Sequence, residues 1–570
     1  MNAFIKSLIF FLIANTSIIL ANPLYSENLT NSKEIVLSGF NLTIENIVEH
    51  AKNKTVICVD PAAWERVKES HKLLLQAAKE DKPVYGLNRG VGLNKDKTLF
   101  EGDILSDEAK AASINFNKNN LRATSSAVGP NMPERIVFAV MLIKLNSILH
   151  GTTGAQPEVA ELLLEFINRR IQPIIPSRGS IGEADITILA HLGLALMGEG
   201  DVYFQGELMS AHKALVLNGL TPLVPLGKDS LSIMSSNAYS SALTALLIHD
   251  IEQLVDKSDL VFSLSLEALN GNAAPFLKEV QNARPYEGQK ISAKNIRNAL
   301  ENSFLWKPSS LRELQDPLSF RSVSQVHGTV RDFLKSSKQK LILHLNSSDD
   351  NPLVLLNLEG KGSTELENSY YLQDYSGAVI PTANFETINW TIDFEALAIA
   401  LSHLSHASTQ RMLRLSSEKF SHLSRFLAPD SEAIVFGAVQ KSFVALDGEI
   451  KALSMPVSRD LVPVAGEIED LSTNLPLILQ RTCKIIDNLY YILGMELMHS
   501  SQAVDLRKRE TPSLQLGKWT QELYNYYRTE VSFIEKDRSL SSDIEKSYFF
   551  VAKKWPGKLV SLDCVFKNKE

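Results

Sequence analysis

Seven short islands hold most of the side chains in this chain that could do chemistry. They are residues 85–92 (YGLNRGVG), 179–185 (GSIGEAD), 234–241 (MSSNAYSS), 314–322 (LQDPLSFRS), 348–354 (SDDNPLV), 381–387 (PTANFET) and 466–474 (GEIEDLSTN). They share amides, an arginine, carboxylates and a tyrosine. The second island is the most informative. A small-residue loop, Gly179-Ser180-Ile181-Gly182, runs straight into Glu183, Ala184 and Asp185. An apolar helix is predicted over 186–197, closed by Gly198 and Gly200. Acidic residues in the first turn and glycine after the last suit a helix that starts at the loop. A glycine-rich loop feeding a buried helix N-terminus is a place to stabilise developing negative charge. An ordinary turn before a core helix explains the same letters, because a short glycine motif is weak evidence. Tyr85, at the head of a glycine-punctuated loop, reads either as a mobile catalytic group or as packing. Other candidates are bland. His403 and His406 sit three apart on a helical stretch with no third ligand and no HExxH pattern, so no metal is expected. Asp349 and Asp350 precede Asn351-Pro352 and read as a turn. Residues 507–510 (RKRE) read as a solvated helix end.

The elements that would carry these islands are mostly helical. Apolar spacing predicts helices over 61–79, 133–149, 156–170, 323–343, 391–415, 433–453 and 471–506. Residues 232–269 contain no proline or glycine and read as one very long helix or two continuous ones. Residues 55–60 (TVICVD) read as a short strand. Helices this long and apolar cannot bury their faces in pairs. The expected fold is therefore mainly α, a large bundle of long near-parallel helices with a small mixed N-terminal region, completed by other subunits. The expected organisation is a signal peptide over 1–21, an N-terminal domain over 22–230, a central long-helix bundle over 231–506 and a C-terminal helical cap over 507–570. Lys6, the apolar run 7–20 and the small residue Ala21 carry the signal reading. It implies export to a periplasm or the medium; an uncleaved anchor is the alternative. No other segment reads as apolar enough to span a bilayer. A net charge of −7 excludes nucleic acid as the main partner, since no basic excess exists to neutralise phosphates. Cys58, Cys483 and Cys564 are too few and too far apart for zinc or a disulfide framework, and a single bridge stays open.

In order and spacing the islands resemble the histidine and aromatic amino acid ammonia-lyases and their related aminomutases, over roughly residues 83–505. The most specific pieces are QDPLSFR, DNPLV, residues 151–180 (GTTGAQPEVAELLLEFINRRIQPIIPSRGS) and 270–276 (NGNAAPF). The resemblance implies a mainly α-helical homotetramer with active sites assembled from several subunits. It implies elimination of an α-amino group with a β-proton, giving a conjugated acid. Tyr85 matches the family's base. Arg321 matches the arginine that pairs with the substrate carboxylate, a task suited to a bidentate guanidinium. Asn237 matches an active-site amide, Asn384 and Phe385 a pair lining the site, and Glu469 a carboxylate near the substrate amine. Gln315 opens the QDP motif and orders its loop. The β-proton is weakly acidic, so elimination needs a good base, a held carboxylate and a good leaving group together. A tyrosine base needs its pKa brought from about 10 towards 7, roughly 4 kcal/mol of preference for the phenolate. Helix N-termini and nearby cations contribute to that. Arg89, standing where the family usually has threonine, is a candidate for such a cation or for binding an anionic group. A solvated loop arginine is the alternative.

The chain departs from the family at its electrophile. There an Ala-Ser-Gly triplet within Gly-Ser-Val-Gly-Ala-Ser-Gly-Asp cyclises to a methylidene-imidazolone. Here Gly182, Glu183, Ala184 and Asp185 leave one residue fewer and neither the serine nor the glycine of the triplet. The prosthetic group is therefore expected to be absent, with no cofactor in its place. Thr124 stands where histidine-specific members have a histidine, and Leu318 where a tyrosine follows QDP; both put histidine in doubt as the substrate. Three readings remain. A quaternary ammonium leaves as a neutral amine without an electrophile. The substrate would then be a trimethylated betaine of an aromatic or imidazole amino acid, on the model of ergothioneine-cleaving relatives, with its cation held by an aromatic wall such as Phe385. Alternatively, Glu183, Asp185 and Glu469 act as acids in an ammonia-lyase. Third, the chain is a non-catalytic binder, against which the joint presence of Tyr85, Asn237, Arg321 and Glu469 argues. The expected partners are a small amino acid or betaine and further copies of the chain, with no membrane contact beyond the signal segment.

Overall fold

The computed structural model describes residues 34–53, 55–358, 362–459 and 462–560. The expected signal segment and Cys564 lie outside them. The N-terminal region opens with β1 (Glu34–Leu37) parallel to β2 (Val56–Val59), joined through α1 (Ile44–Lys52). Then come α2 (Pro61–Lys79), α3 (Asp107–Thr124), α4 (Glu134–Leu149) and α5 (Pro157–Asn168). β3 (Val128–Asn131) pairs with β5 (Pro176–Arg178). β4 (Gln172–Pro173), β6 (Asp201–Phe204) and β7 (Glu207–Ser210) form a small antiparallel sheet. Two helices, α6 (Ile186–Leu196) and α7 (Asp229–Met234), lead into the bundle. It consists of α8 (Ala238–Leu269), α9 (Glu287–Ala299), α10 (Val323–Leu345), α11 (Ile388–Leu415), α12 (Gln440–Leu453) and α13 (Leu475–Glu510). A hairpin of β8 (Leu353–Leu356) and β9 (Gly377–Ile380) interrupts it, and α14 (Lys518–Glu530) and α15 (Ser541–Ala552) follow the bundle. The fold is mainly α and built on long helices, as the apolar spacing predicts.

The central helix is α8, which packs on α13, α10 and α4. Nearly all of it is buried, including a row of serines and threonines. Three of those hydroxyls are satisfied on the preceding turn: Thr244 donates to the Ser240 carbonyl, Ser258 to Leu254 and Ser263 to Asp259, each at 2.7 Å. Small polar groups of this kind, which bond back to their own helix, help a helix be enclosed by protein. A buried ion pair pins the bundle, with Arg411 of α11 on Glu496 of α13 at 2.6 Å and Ser265 of α8 donating to the same carboxylate at 2.8 Å. One continuous apolar core takes in residues from Ile35 to Leu559. A second cluster, with Leu73, Leu74, Val84, Leu87 and Val354, lies under the Tyr85 loop.

Several sequence expectations need correction. The 232–269 stretch is not continuous helix: it breaks at Ser235-Ser236-Asn237 between α7 and α8. Residues 229–269 are also apolar enough to span a bilayer, with mean hydropathy 1.2, but their most apolar window is entirely enclosed by protein. The 433–453 helix starts only at Gln440, because the Asp537 carboxylate takes the backbone N–H groups of Ile434 and Val435. The last long helix runs 475–510, beginning after Asn474 at φ 51°. Glu183 and Asp185 stand before α6 and not in its first turn. Arg507 is not a solvated helix end. It donates to the carbonyls of Ala268 (2.7 Å), Leu269 (3.0 Å) and Ser421 (2.6 Å), capping α8, and burial lowers its pKa to about 10.

Candidate active site

The break between α7 and α8 exposes backbone N–H groups at the start of a long buried helix, and two carboxylates take them. Asp349 accepts from the Asn237 N–H and the Ser236 hydroxyl, both at 2.8 Å. Asp185 accepts from the Ser240 N–H at 2.9 Å, the Ser240 hydroxyl at 3.0 Å and the Ser180 hydroxyl at 2.7 Å. Each anion sits at the positive end of α8. Burial pushes the Asp349 carboxyl up, but Lys144, His344 and its hydrogen bonds outweigh this and hold it below its ordinary value. Burial wins at Asp185 and raises it to about 6. Asp350 pairs with buried Lys228 at 2.6 Å. Asp349 and Asp350 thus do more than build a turn: both are buried, the first holding the start of α8 and the second paired with Lys228.

The 179–185 loop is fastened on three sides. The Asp185 N–H donates to the Ser236 carbonyl and the Asn474 N–H to the Ile181 carbonyl, each at 2.8 Å. The hydroxyls of Thr387 and Thr473 meet at the Gly182 carbonyl, each at 3.4 Å. Gly182 is required here, because a Cβ at its φ of 94° would stand 2.2 Å from Thr473 Oγ1. Ala184 adopts φ 56°, a left-handed conformation that costs a non-glycine residue about 1–2 kcal/mol.

Beside this loop lies a cavity of about 390 Å³. Tyr85, Asn120, Thr124, Glu183, Ala184, Met234, Asn351, Phe385, Ile468 and Glu469 are among its lining residues. The Tyr85 hydroxyl oxygen accepts the Gly92 N–H at 2.8 Å. Burial raises the Tyr85 phenol above its ordinary pKa; the Gly92 N–H pulls it down, and Glu469 pushes it up again. Glu183 forms a backbone bridge with Glu386. Burial, then Glu386, then Glu469 push Glu183 up to about 8. Glu469 is also raised by burial. The described lining residues include two carboxylates and no lysine or arginine. The cavity therefore favours a cation.

Of the residues singled out from the sequence, Tyr85, Glu183, Ala184, Phe385 and Glu469 meet at this cavity. Arg321 and Gln315 do not. They line a separate hollow of about 490 Å³ with Asp316, Arg414 and Lys419, and Arg321 donates to the Gln315 amide oxygen at 2.7 Å. Arg89 is absent from the cavity lining and donates to the Asn88 carbonyl at 3.0 Å, and it is not among the groups that set the Tyr85 pKa. Asn384 is exposed. Asp185 and Gly182 hold the loop rather than line the cavity. Asn237, two residues after the cavity-lining Ser235, is fully buried and neither end of its side-chain amide has a hydrogen-bond partner. His406 faces Asp447 at 3.1 Å, away from any metal cluster among the described residues. Glu386, Asn120 and Asn351 went unassigned from the sequence. Glu386 and Asn351 sit inside islands, Asn351 within DNPLV, but neither carries an assigned site role. Asn120 is legible only as the residue one turn before Thr124 on α3, and it donates to the Ser230 hydroxyl at 3.0 Å.

Comparison with known proteins fits this geometry. The profile of the aromatic amino acid lyase family matches residues 42–529. A histidine ammonia-lyase of Caldanaerobacter subterraneus subsp. tengcongensis is 32% identical over 521 residues, covering 90% of this chain and 96% of that protein. One from Streptococcus pyogenes serotype M3 is 31% identical over 512 residues, covering 89% and 94%. Among solved structures, an ergothioneine-degrading ergothionase from Treponema denticola, in complex with desmethyl-ergothioneine sulfonic acid, superposes with a TM-score of 0.84 at 39% identity, covering 93% of this chain and all of that one. A tyrosine aminomutase from Streptomyces globisporus gives 0.81 at 25% identity, covering 94% and 99%.

Proposed function

Because the chain belongs to the aromatic amino acid lyase family and is a carbon–nitrogen lyase, we propose that it eliminates trimethylamine from the trimethylammonium betaine of an imidazole or aromatic amino acid, leaving a conjugated acid. The observation that carries this reading is the charge of the cavity. Glu183 and Glu469 line it, Glu386 stands behind Glu183, and no basic side chain is among its described lining residues. Such a wall holds a cation and is poorly suited to accept electrons from an amine. The likeness to an enzyme that degrades ergothioneine, itself a trimethylammonium betaine, supports the same choice.

In this reading Tyr85 takes the β-proton. The C–H electrons become the new carbon–carbon double bond, the C–N bond breaks with its electrons on nitrogen, and trimethylamine leaves neutral. Glu183 and Glu469 position the cation, and Phe385 offers it an aromatic face. Arg321, ordered by Gln315, binds the substrate carboxylate. Since both line a different hollow from Tyr85, we assign them to the cavity of a neighbouring protomer in a homotetramer. Leu311, Leu314 and Leu318 beside Arg321 are 80%, 88% and 65% exposed, and Leu471 beside Glu469 is 66% exposed, apolar surface that such an assembly would cover. Light scattering giving a monomer would reject it. Export through the 1–21 segment is part of the proposal, to be read by N-terminal sequencing of the protein from the cell envelope.

The residues present do not fit a methylidene-imidazolone. Ala184 is followed by an aspartate that caps α8, and Ser180, upstream of Ile181, is bound to that aspartate. We propose that no such ring forms and that no cofactor replaces it. The intact mass should equal that of the processed sequence; a deficit of two waters rejects this. The substrate test is incubation with histidine, phenylalanine, tyrosine and their trimethyl betaines. Trimethylamine with a conjugated acid is expected from a betaine. Ammonia from a free amino acid would instead favour the acid-assisted ammonia-lyase reading, which the histidine ammonia-lyase relatives keep in play.

A further inference from the structure

Resting on Tyr85 as the base, we propose that Glu80 is a positioning residue for the elimination: its carboxylate clasps the turn before β9 to the end of α2 and so fixes where the Tyr85 loop stands over the cavity. Glu80 is the residue that ends α2, and Tyr85 follows five positions later. Its Oε2 accepts the Gln373 N–H at 2.8 Å, and its Oε1 accepts the Asp374 N–H and the Gln76 amide, each at 3.0 Å. Two neighbouring contacts flank this one. Lys82 Nζ donates to the Ser369 carbonyl at 2.9 Å, and the Tyr375 hydroxyl donates to the Glu69 carboxylate. Burial pushes the Glu80 carboxyl up, but the Gln373 N–H, the Gln76 amide, the Asp374 N–H and Lys82 outweigh this and hold it below its ordinary value. The acceptor is therefore an anion, and its bonds to backbone N–H groups are of the strong, charge-assisted kind. Beneath them, Leu73, Leu74, Val84 and Leu87 pack with Leu372 and Val379. Apolar contact of that sort is non-directional and sets no register by itself.

The segment beyond Glu80 is braced internally. Asp81, at φ 54°, accepts the Gly102 N–H at 2.7 Å. The Asn88 amide donates to the Lys82 carbonyl at 2.9 Å and accepts the Val84 N–H at 2.8 Å. The Leu99 N–H donates to the Asn88 carbonyl at 3.0 Å. A shift at Glu80 is thus passed on to Tyr85 and not absorbed on the way. The hairpin side of the clasp is the fixed side. β9 is paired with β8, and just past it Thr382 donates its N–H to the Asn351 amide oxygen at 2.9 Å and its hydroxyl to the Asp350 carbonyl at 2.7 Å. Glu183 and Glu469 reach the cavity from the 179–185 and 466–474 loops, which the clasp does not touch. Without Glu80 the base should move while the groups that hold the cation stay, so that turnover suffers and cation binding does not.

The test uses the full-length enzyme with Glu80→Ala and with Glu80→Gln, which keeps the size and one acceptor oxygen. Hydrogen exchange read by mass spectrometry needs no substrate. In Glu80→Ala, peptides spanning 84–92 and 371–376 should exchange about tenfold faster or more, and in Glu80→Gln by less, while those of α8 keep the wild-type rate. With histidine trimethylbetaine, kcat of Glu80→Ala should fall about 10–100-fold, while the inhibition constant of tetramethylammonium changes less than about threefold. Adding Glu80→Ala to Tyr85→Phe should slow turnover no further, because the effect passes through Tyr85. Unchanged exchange over 84–92 in Glu80→Ala overturns the proposal, as does an additive loss in the double variant. If the wild type cleaves a betaine and Glu80→Ala keeps its kcat, only this inference fails. If no betaine is cleaved yet 84–92 opens in Glu80→Ala, the substrate reading fails and the clasp stands.

Discussion

Tyr85→Phe removes one oxygen and, on the reasoning above, the base. In the empty cavity the phenol is held above its ordinary pKa by burial and by Glu469, against the pull of the Gly92 N–H. Even a tyrosine of ordinary pKa is ionised only to about one part in a thousand at pH 7, roughly 4 kcal/mol uphill. Tyr85 starts higher still. A trimethylammonium held by Glu183 and Glu469, about 5 Å from the phenol oxygen, returns about 3 kcal/mol at an effective dielectric near 20. That corresponds to roughly two pH units, so the substrate activates its own base. The assay is trimethylamine release from saturating histidine trimethylbetaine across pH, for wild type and Tyr85→Phe. The wild-type kcat should rise along a limb about two units below the phenol titration of the free enzyme, which is read as the ultraviolet difference between wild type and the variant. The variant should lose about 10²–10⁴-fold in kcat. Its stability should fall by only about 1 kcal/mol, for the lost Gly92 hydrogen bond. A variant keeping more than about a tenth of kcat would refute the role of Tyr85, since general-base catalysis contributes far more. A kcat limb coincident with the free phenol would refute substrate assistance.

The loop and the helix cap give further expectations. Gly182→Ala should destabilise by about 2–3 kcal/mol, because its Cβ would meet Thr473 Oγ1 at 2.2 Å. Ala184→Gly, at φ 56°, should raise the urea midpoint by the equivalent of about 1 kcal/mol. Asp349→Ala strips the Asn237 N–H of its acceptor and leaves Lys144 facing one carboxylate fewer; a loss of about 3–5 kcal/mol is expected in urea, and less than about 1 would contradict the capping account. At Glu496, burial pushes the carboxyl up, but Arg411 and the Ser408 and Ser265 hydroxyls hold it below its ordinary value. Its contribution is therefore complete above the unfolded pKa of about 4.3 and is lost as pH falls through the folded one. Glu496→Gln should cost about 3–5 kcal/mol at neutral pH and flatten that acid limb; parallel stability curves for the two proteins would count against it.

The long helices were legible because apolar spacing is local information. Predicted and observed limits agree at Lys79, Leu149, Leu415 and Leu453. What went wrong did so where a distant side chain intervenes. Asp537 unhooks the 434–435 backbone from a helix that begins at Gln440. Asp185 and Asp349 take the N–H groups that allow α8 to start at Ala238 and not at Ser232. Arg507 looks solvated until the C-terminus of α8 is known to end beside it. The site behaves the same way. Tyr85, Glu183, Phe385 and Glu469 were named from their islands and do converge. Glu386 was in plain view after Asn384 and Phe385, yet its meaning depends on a bridge to a residue about two hundred positions away, which no spacing rule reveals.

The two acidic residues of the loop therefore have different consequences. Asp185 is consumed by the start of α8 and says nothing about chemistry. Glu183 alone faces the cavity, and its effect on the reaction follows from acidity. If Tyr85 is the base and no electrophile forms, as proposed, a primary ammonium presents that base with N–H protons far more acidic than the β-carbon proton. The base would take one of those, and the amine left behind is a poor leaving group. A trimethylammonium has no such proton. The only transfer open to the base is the one that breaks the carbon–nitrogen bond, and the carboxylates that would frustrate an electrophilic ring are the groups that hold this cation in place. On the proposed reading, losing the triplet and selecting a quaternary substrate are thus two faces of one chemical constraint.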